Sequence, residues 1–330
     1  MDWGSIFVNT VRAGVGVETV VYALAAIGLN IHFGYTGLLN FGQAAFLGVA
    51  AYGLAISIAI AGMPFWFGIV AGLVGAVLLA LLLGIPTLRL RADYLAIVTI
   101  AAAEIFRLVV RANSMREYTG GANGLTGFAG DFYALNPFPE GRYGFGRVSF
   151  DQRATWVLVV GWSLVLLACL VTWLLMRSPW GRVIKGIRED EDAVRSLGKN
   201  VYGYKMQALI LGGVMGSLGG FVFVLARAAV QPDIYGTELT FFAYTILILG
   251  GAARVFGPVV GASIFWVVLV FMDSFLRQAI SAGYIPTSVM SGTDVGQFRF
   301  MLVGLALMLL VIFRPQGIFG DKRELQLDVR

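Results

Sequence analysis

Few residues in this 330-residue sequence can do covalent chemistry. His32 is the sole histidine and Cys169 the sole cysteine. One cysteine excludes an intramolecular disulfide and any Cys-based metal site, and one histidine excludes a His-rich one. A Ser/His/Asp or Cys/His constellation cannot be built from so small a stock. The sequence has no Gly-x4-Gly-Lys-Ser/Thr loop, so the chain is not expected to bind ATP in the strand–loop–helix manner. The glycine-rich string from Thr119 to Gly127 reads as turns between spans rather than a phosphate cradle. The chain is therefore expected to be no enzyme and to hold no metal or cofactor. Glu104 and Arg107 stand three apart, on one helical face, where their charges neutralise each other. Charges at membrane depth are functional candidates by default, though a structural pair is the favoured reading here. His32 is expected at an interface, Cys169 against lipid or another helix, and Glu18, Glu238 and Asp273 toward span ends.

Charge is concentrated in one place. Arg177 to Lys205 carries Arg177, Arg182, Lys185, Arg188, Arg195, Lys199 and Lys205, with four consecutive acids, Glu189, Asp190, Glu191 and Asp192. Ser178 suits a helix N-cap and Pro179 the first helical position. Gly198 suits the left-handed turn that ends a helix. Ile184, Ile187, Val194 and Leu197 fall on roughly one face. The segment reads as one amphipathic helix over about 178–197, a turn, and re-entry into the membrane near Tyr204. It is expected to dock a cytoplasmic partner.

The rest of the chain must position these residues in a bilayer. Hydrophobic residues make up 58% and charged residues 13%, about half the usual charged share of a soluble domain, roughly 25%. Mean hydropathy is +0.81. The 43 glycines allow close helix approach in lipid. The net charge of +5 sits beside apolar spans and does not indicate nucleic-acid binding. Apolar runs fall near 6–29, 37–60, 65–85, 94–111, 154–176, 204–227, 238–253, 257–275 and 296–313. The expected fold is all-α: a polytopic transmembrane helical bundle of about 8–10 spans with broken or re-entrant helices. The irregular stretches are 34–60 and 233–261. Residues 1–330 read as one transmembrane domain without a soluble module. Basic residues place 86–92, 177–205 and the tail after 313 in the cytoplasm, with 112–153 an external loop. Nine spans put the N-terminus outside. A re-entrant 37–60 moves it inside, and some re-entrant piece is expected to reconcile alternation with the charges.

Several motifs in this order resemble one family. Asp192-Ala193-Val194-x3-Gly198 is similar to a Glu-Ala-Ala-x3-Gly coupling motif, departing at its first and third positions. Gly181-Arg182-x5-Arg188-Glu189-Asp190-Glu191 surrounds it. Gly37-Leu-Leu-Asn-Phe-Gly-Gln43, Leu95-Ala-Ile-Val-Thr-Ile, Thr119-Gly-Gly-Ala-Asn-Gly-Leu125, Gly250-Gly-x5-Gly257-Pro258 and Phe313-Arg-Pro-Gln-Gly317 complete the set. Over roughly 35–317 the chain resembles permease subunits of branched-chain amino acid ABC importers, in particular the second of the two paired permeases. The resemblance implies a bacterial-type inner-membrane, multi-pass protein. It implies as partners a homologous permease, two cytoplasmic ATPase subunits that use the ATP, and an external solute-binding protein. It makes Gly181, Arg182, Arg188, Glu189, Asp190, Glu191, Asp192, Ala193 and Gly198 the ATPase-coupling residues. Close relatives carry urea or short amides, so the solute stays open.

Thr36, Asn40 and Gln43 are polar in an apolar region and can meet a zwitterion without a permanent buried charge. Helix–helix hydrogen bonding accounts for them equally well. Phe41 and Phe46 can supply the wall an aliphatic solute needs. A self-contained secondary transporter is the competing class, with Glu104 its best ion-coupling acid. A membrane enzyme is a third, with almost no catalytic inventory.

Overall fold

A computed structural model describes residues 2–89, 92–284, 294–314 and 316–320. Among them the chain is overwhelmingly helical. The principal helices are α1 (Trp3–Val15), α2 (Val17–Leu29), α3 (Gln43–Ala59), α4 (Phe65–Thr87) and α5 (Ala92–Arg111). Two short helices follow, α6 (Arg116–Thr119) and α7 (Gly130–Ala134). Then come α8 (Gln152–Arg177), α9 (Pro179–Glu189), α10 (Glu191–Ser196) and α11 (Val201–Arg227). The chain ends in α12 (Thr237–Gly250), α13 (Gly257–Ser281) and α14 (Val295–Phe313). Five helical stretches are long and apolar enough to cross a membrane by length and composition, and α3 and α12 are shorter apolar helices.

Contacts sort the connections onto two ends of the bundle. At one end, residues 36–38, 87–88, 187–191 and Lys205 line a common cleft. Ile318 and Phe319 amides bond to Leu249 and Gly250 carbonyls near the same end. At the other end, Arg227 pairs with Glu18, Tyr133 donates to the Leu225 carbonyl, and Arg12 donates to the Ser149 carbonyl. Nine helices, α2–α5, α8 and α11–α14, alternate between these ends among the described residues. No re-entrant hairpin is needed among the described residues: alternation alone brings 87–89, 177–205 and the start of the tail together, and puts the N-terminus with 112–153. Arg91, Lys322, Arg323 and Arg330, part of the basic-residue argument, lie outside the described residues, as does Pro315.

The expected span 6–29 is two elements. The chain breaks at Gly16, where an added Cβ would lie 2.9 Å from the Arg12 carbonyl oxygen. Helix α1 is capped by Asp2, whose carboxylate accepts from the Gly4 and Ser5 amides. The Ser5 amide foremost holds that carboxyl below its ordinary range. Helix α1 packs on α13, with the Asp2 amide bonded to Gln278.

Helices α2 and α11 form the centre. A Cβ on Gly28 of α2 would sit 2.3 Å from the Gly212 carbonyl oxygen of α11, and one on Gly220 of α11 would sit 2.2 Å from the Leu47 carbonyl oxygen of α3. Where apolar burial gives no drive between helices, such close approach supplies the dispersion contact. The 112–153 connection holds strand β1 (Leu125–Thr126), which pairs with β4 (Ala229–Val230), and a hairpin of β2 (Arg142–Phe145) and β3 (Val148–Asp151). Gly120, Gly121, Gly124 and Gly127 all have positive φ, so the string from Thr119 does form turns.

Candidate functional site

The first feature is the break after α2. Its last turn, Asn30–Tyr35, is π-helical. The chain then leaves helical geometry at Gly37 (φ 74°) and folds back along that turn, the Leu38 amide reaching the His32 carbonyl. Helix α3 starts only at Gln43, at the level of Ala25. Non-helical backbone at this depth requires internal partners for its polar groups, and side chains provide them. The Phe41 amide donates to Thr99 Oγ1, the Gly42 amide to Asn40 Oδ1, and the Ala44 amide to Thr240 Oγ1. Tyr244 Oη donates to the Asn40 carbonyl at 2.9 Å.

Two of the three polar residues singled out from sequence, Asn40 and Gln43, meet here. Asn40 Nδ2 lies 3.0 Å from His32 Nδ1 and 3.3 Å from Gln43 Oε1. Gln43 Nε2 donates to the carbonyls of Ala25 and Gly212. Thr36 Oγ1 donates to the Ile31 carbonyl, back along its own turn. All of them are buried. His32, expected at an interface, is fully buried, its Nε2 3.0 Å from the Leu209 carbonyl oxygen. It bridges α11 to the break. Sequence reasoning missed Thr99, Thr240 and Tyr244 as partners. Phe41 differs from its neighbours: its ring stacks on Tyr244 at 4.7 Å and approaches Phe241 at 5.8 Å. Phe241 is half exposed on α12. Phe46 is buried against His32 and Gly213, away from that face.

The second feature is the charged segment. Ser178 caps α9, with Pro179 in its first turn, as read from sequence. The single helix over 178–197 is instead two. Asp190 leaves helical geometry (φ −152°, ψ 102°) and caps α10, accepting from the Asp192 and Ala193 amides. A carboxylate that can cap outcompetes helix continuation. The break reorients the apolar face: Ile184 and Ile187 are buried and Val194 half-buried, but Leu197 is 78% exposed. Gly181 lies against the end of α8, where a Cβ would be 2.5 Å from the Leu175 carbonyl oxygen. Gly198 has φ 74° with open space around it. Arg195 pairs with Glu191 and Asp192, and Lys205 with Glu191, which ties α10 to the start of α11. Arg182, Glu189 and Ala193 are exposed.

The third feature is an ionic cluster. Glu104 binds Arg107, as their spacing predicts, but Arg107 also reaches Asp233 at 2.7 Å, and Arg111 reaches it at 3.1 Å. The group is partly exposed on the outer half of α5 rather than enclosed in the bundle. Among the described residues no group of three or more His, Cys, Asp or Glu is placed to hold a metal ion.

Comparison with known proteins agrees with this architecture. Residues 12–312 match the family model described as branched-chain amino acid transport system, permease component. The permease protein LivM of the high-affinity branched-chain amino acid transport system of Salmonella typhimurium is 31% identical, over 94% of this chain and 70% of the relative. A probable LivM from Methanocaldococcus jannaschii is 24% identical over 92% of this chain and 91% of its own length. LivH of Escherichia coli is 25% identical, over 91% of each chain. With a nine-helix bundle, a buried break and a capped polar helix pair in place, the chain belongs to the family of permease components of branched-chain amino acid transport systems.

Proposed function

We propose that this chain is the permease subunit of an ATP-binding-cassette importer in the inner membrane, carrying branched-chain or related apolar amino acids into the cytoplasm. The observation that carries the reading is the helix pair α9–α10 with exposed Leu197 and left-handed Gly198 at its tip. Leu197 leaves apolar surface on an otherwise polar helix pair, and a groove on a soluble partner would remove that surface from water. Two ATPase subunits dock there and use the ATP, which this chain does not hydrolyse itself. Arg182, Glu189, Asp190, Glu191, Asp192, Ala193 and Gly198 form that surface, while Gly181 and Arg188 face inward and seat the pair against α8 and the broken span.

A homologous permease covers the α5–α12 face. The cluster of Glu104, Arg107, Arg111 and Asp233 is partly exposed there, and such charges on a spanning helix face water or protein, not lipid. The solute passes along this face. Thr36, Asn40 and Gln43 hold the broken segment in place, and Phe41 with Phe241 offers an apolar wall to an aliphatic side chain. An external binding protein delivers the solute to the end that carries 112–153. The test is co-expression with the paired permease, the ATPases and the binding protein. The expected result is a stable complex whose ATP hydrolysis rises with solute-loaded binding protein. Absence of any complex sinks the proposal.

A further inference from the structure

The cytoplasmic helix pair touches the broken span directly. Arg188, near the end of α9, donates through Nη1 to the carbonyl of Gly34 at 2.6 Å. That carbonyl belongs to the last turn before the break. The amides that close this turn go to the carbonyls of His32 and Phe33, and the guanidinium meets that of Gly34. A cation is favoured at a helix C-terminus, where carbonyls are left over. Gly37 packs on the same side chain: a Cβ there would be 3.4 Å from Arg188 Cγ. One turn earlier on α9, Lys185 sits over the Tyr35 ring at 5.8 Å.

Beside this contact is open space rather than packed protein. A cleft of about 290 Å³, lined by polar and apolar side chains alike, separates α9–α10 from the ends of α4 and α5; Thr36, Leu88, Leu95, Arg188, Glu191 and Lys205 are among its lining residues. The helix pair is seated through Gly181 against α8, and the Glu191–Lys205 pair ties it to the start of α11 at the edge of the cleft. Arg188 therefore joins a lever to the one stretch of span that has already lost helical geometry.

We propose that Arg188 is a positioning residue that transmits movement of the α9–α10 pair to the break at 34–42, and so sets how much solute moves per ATP hydrolysed. The inference rests on the ATPase-docking reading above. It goes beyond docking because Arg188 acts inward, on this chain's own backbone. A neutral side chain at 188 leaves the docking tip around Leu197 and Gly198 in place but cuts the lever from the break.

The experiment uses the full importer in proteoliposomes, with leucine as the transported probe, and measures uptake and ATP hydrolysis together. In Arg188→Gln the ATPases are expected to co-purify as before, while leucine imported per ATP falls by about tenfold, as when a hydrogen bond to a charged group is lost. Arg188→Lys, which keeps a cation but not the two-pronged reach, is expected to fall between. Elution of each variant as a single species separates this from failed folding. Uptake and hydrolysis falling in equal proportion in both variants, or neither changing, would overturn the proposal. Failure of the wild-type chain to retain ATPases at all would instead overturn the docking reading.

Discussion

Asn40 is the residue on which most of the buried polar circuit depends. It touches His32 and Gln43 through its amide nitrogen and holds the Gly42 amide through its oxygen. Asn40→Leu removes all three contacts in a site closed to water. The expected cost is about 2–3 kcal/mol, the penalty for buried polar groups left without partners. It should appear as a lower unfolding temperature of the detergent-solubilised protein, and an unchanged temperature would refute the assignment. Gly198 makes a different prediction. Its left-handed backbone costs about 1–2 kcal/mol for a residue with a Cβ, yet no neighbour crowds it. Gly198→Val should therefore cut transport without impairing insertion, whereas Gly198→Asn, a residue at home in that conformation, should retain most of it. Uptake assays on the two variants distinguish the backbone requirement from simple crowding. The polar character of Asn40 and Gln43 was legible in the sequence. Their enclosure was not, because Thr99, Thr240 and Tyr244 each look like an ordinary polar residue in an apolar helix. Only folding shows that their hydroxyls serve a backbone break far away in sequence.

At the scale of elements, helix positions were legible because an apolar run long enough to cross the bilayer is a strong signal. Two breaks were hidden. Gly16 lies in an apolar run where glycine is commonplace, and its carbonyl clash is a matter of backbone geometry. Asp190 sits amid acids that suit a helix surface equally well, but its capping bonds split the charged helix. That split turns Leu197 outward, against the single apolar face its spacing implied. Packing of α2 on α11 carries its own prediction. A Cβ at Gly212 would lie 2.3 Å from His32 Nε2 and 2.5 Å from the Gly28 carbonyl oxygen. Gly212→Val should thus force the two central helices apart, costing at least about 1–3 kcal/mol by overpacking. Size-exclusion chromatography should show aggregated or poorly recovered protein. A monodisperse, active variant would mean that these helices are not in such close contact.

For the whole molecule, the arrangement separates three tasks by depth. The end bearing 112–153 carries turns, a hairpin and the ionic cluster on α5. The middle holds the broken span in a closed hydrogen-bond network. The basic end presents the helix pair, linked to that break through Arg188. Alternation of the nine helices produces this separation, since it gathers the basic connections at one end. The family places such a chain in a branched-chain amino acid transport system, and the helix pair at its basic end is the surface proposed above for the ATPases. The central claim is that motion arrives from outside the chain. The most direct test is leucine uptake into proteoliposomes holding the assembled importer, with ATP inside or outside the compartment that the ATPases face. The account predicts uptake only with loaded binding protein on one side and ATP on the other, and none from this chain alone. Leucine uptake by this chain alone, driven by an ion gradient and indifferent to ATP, would contradict it.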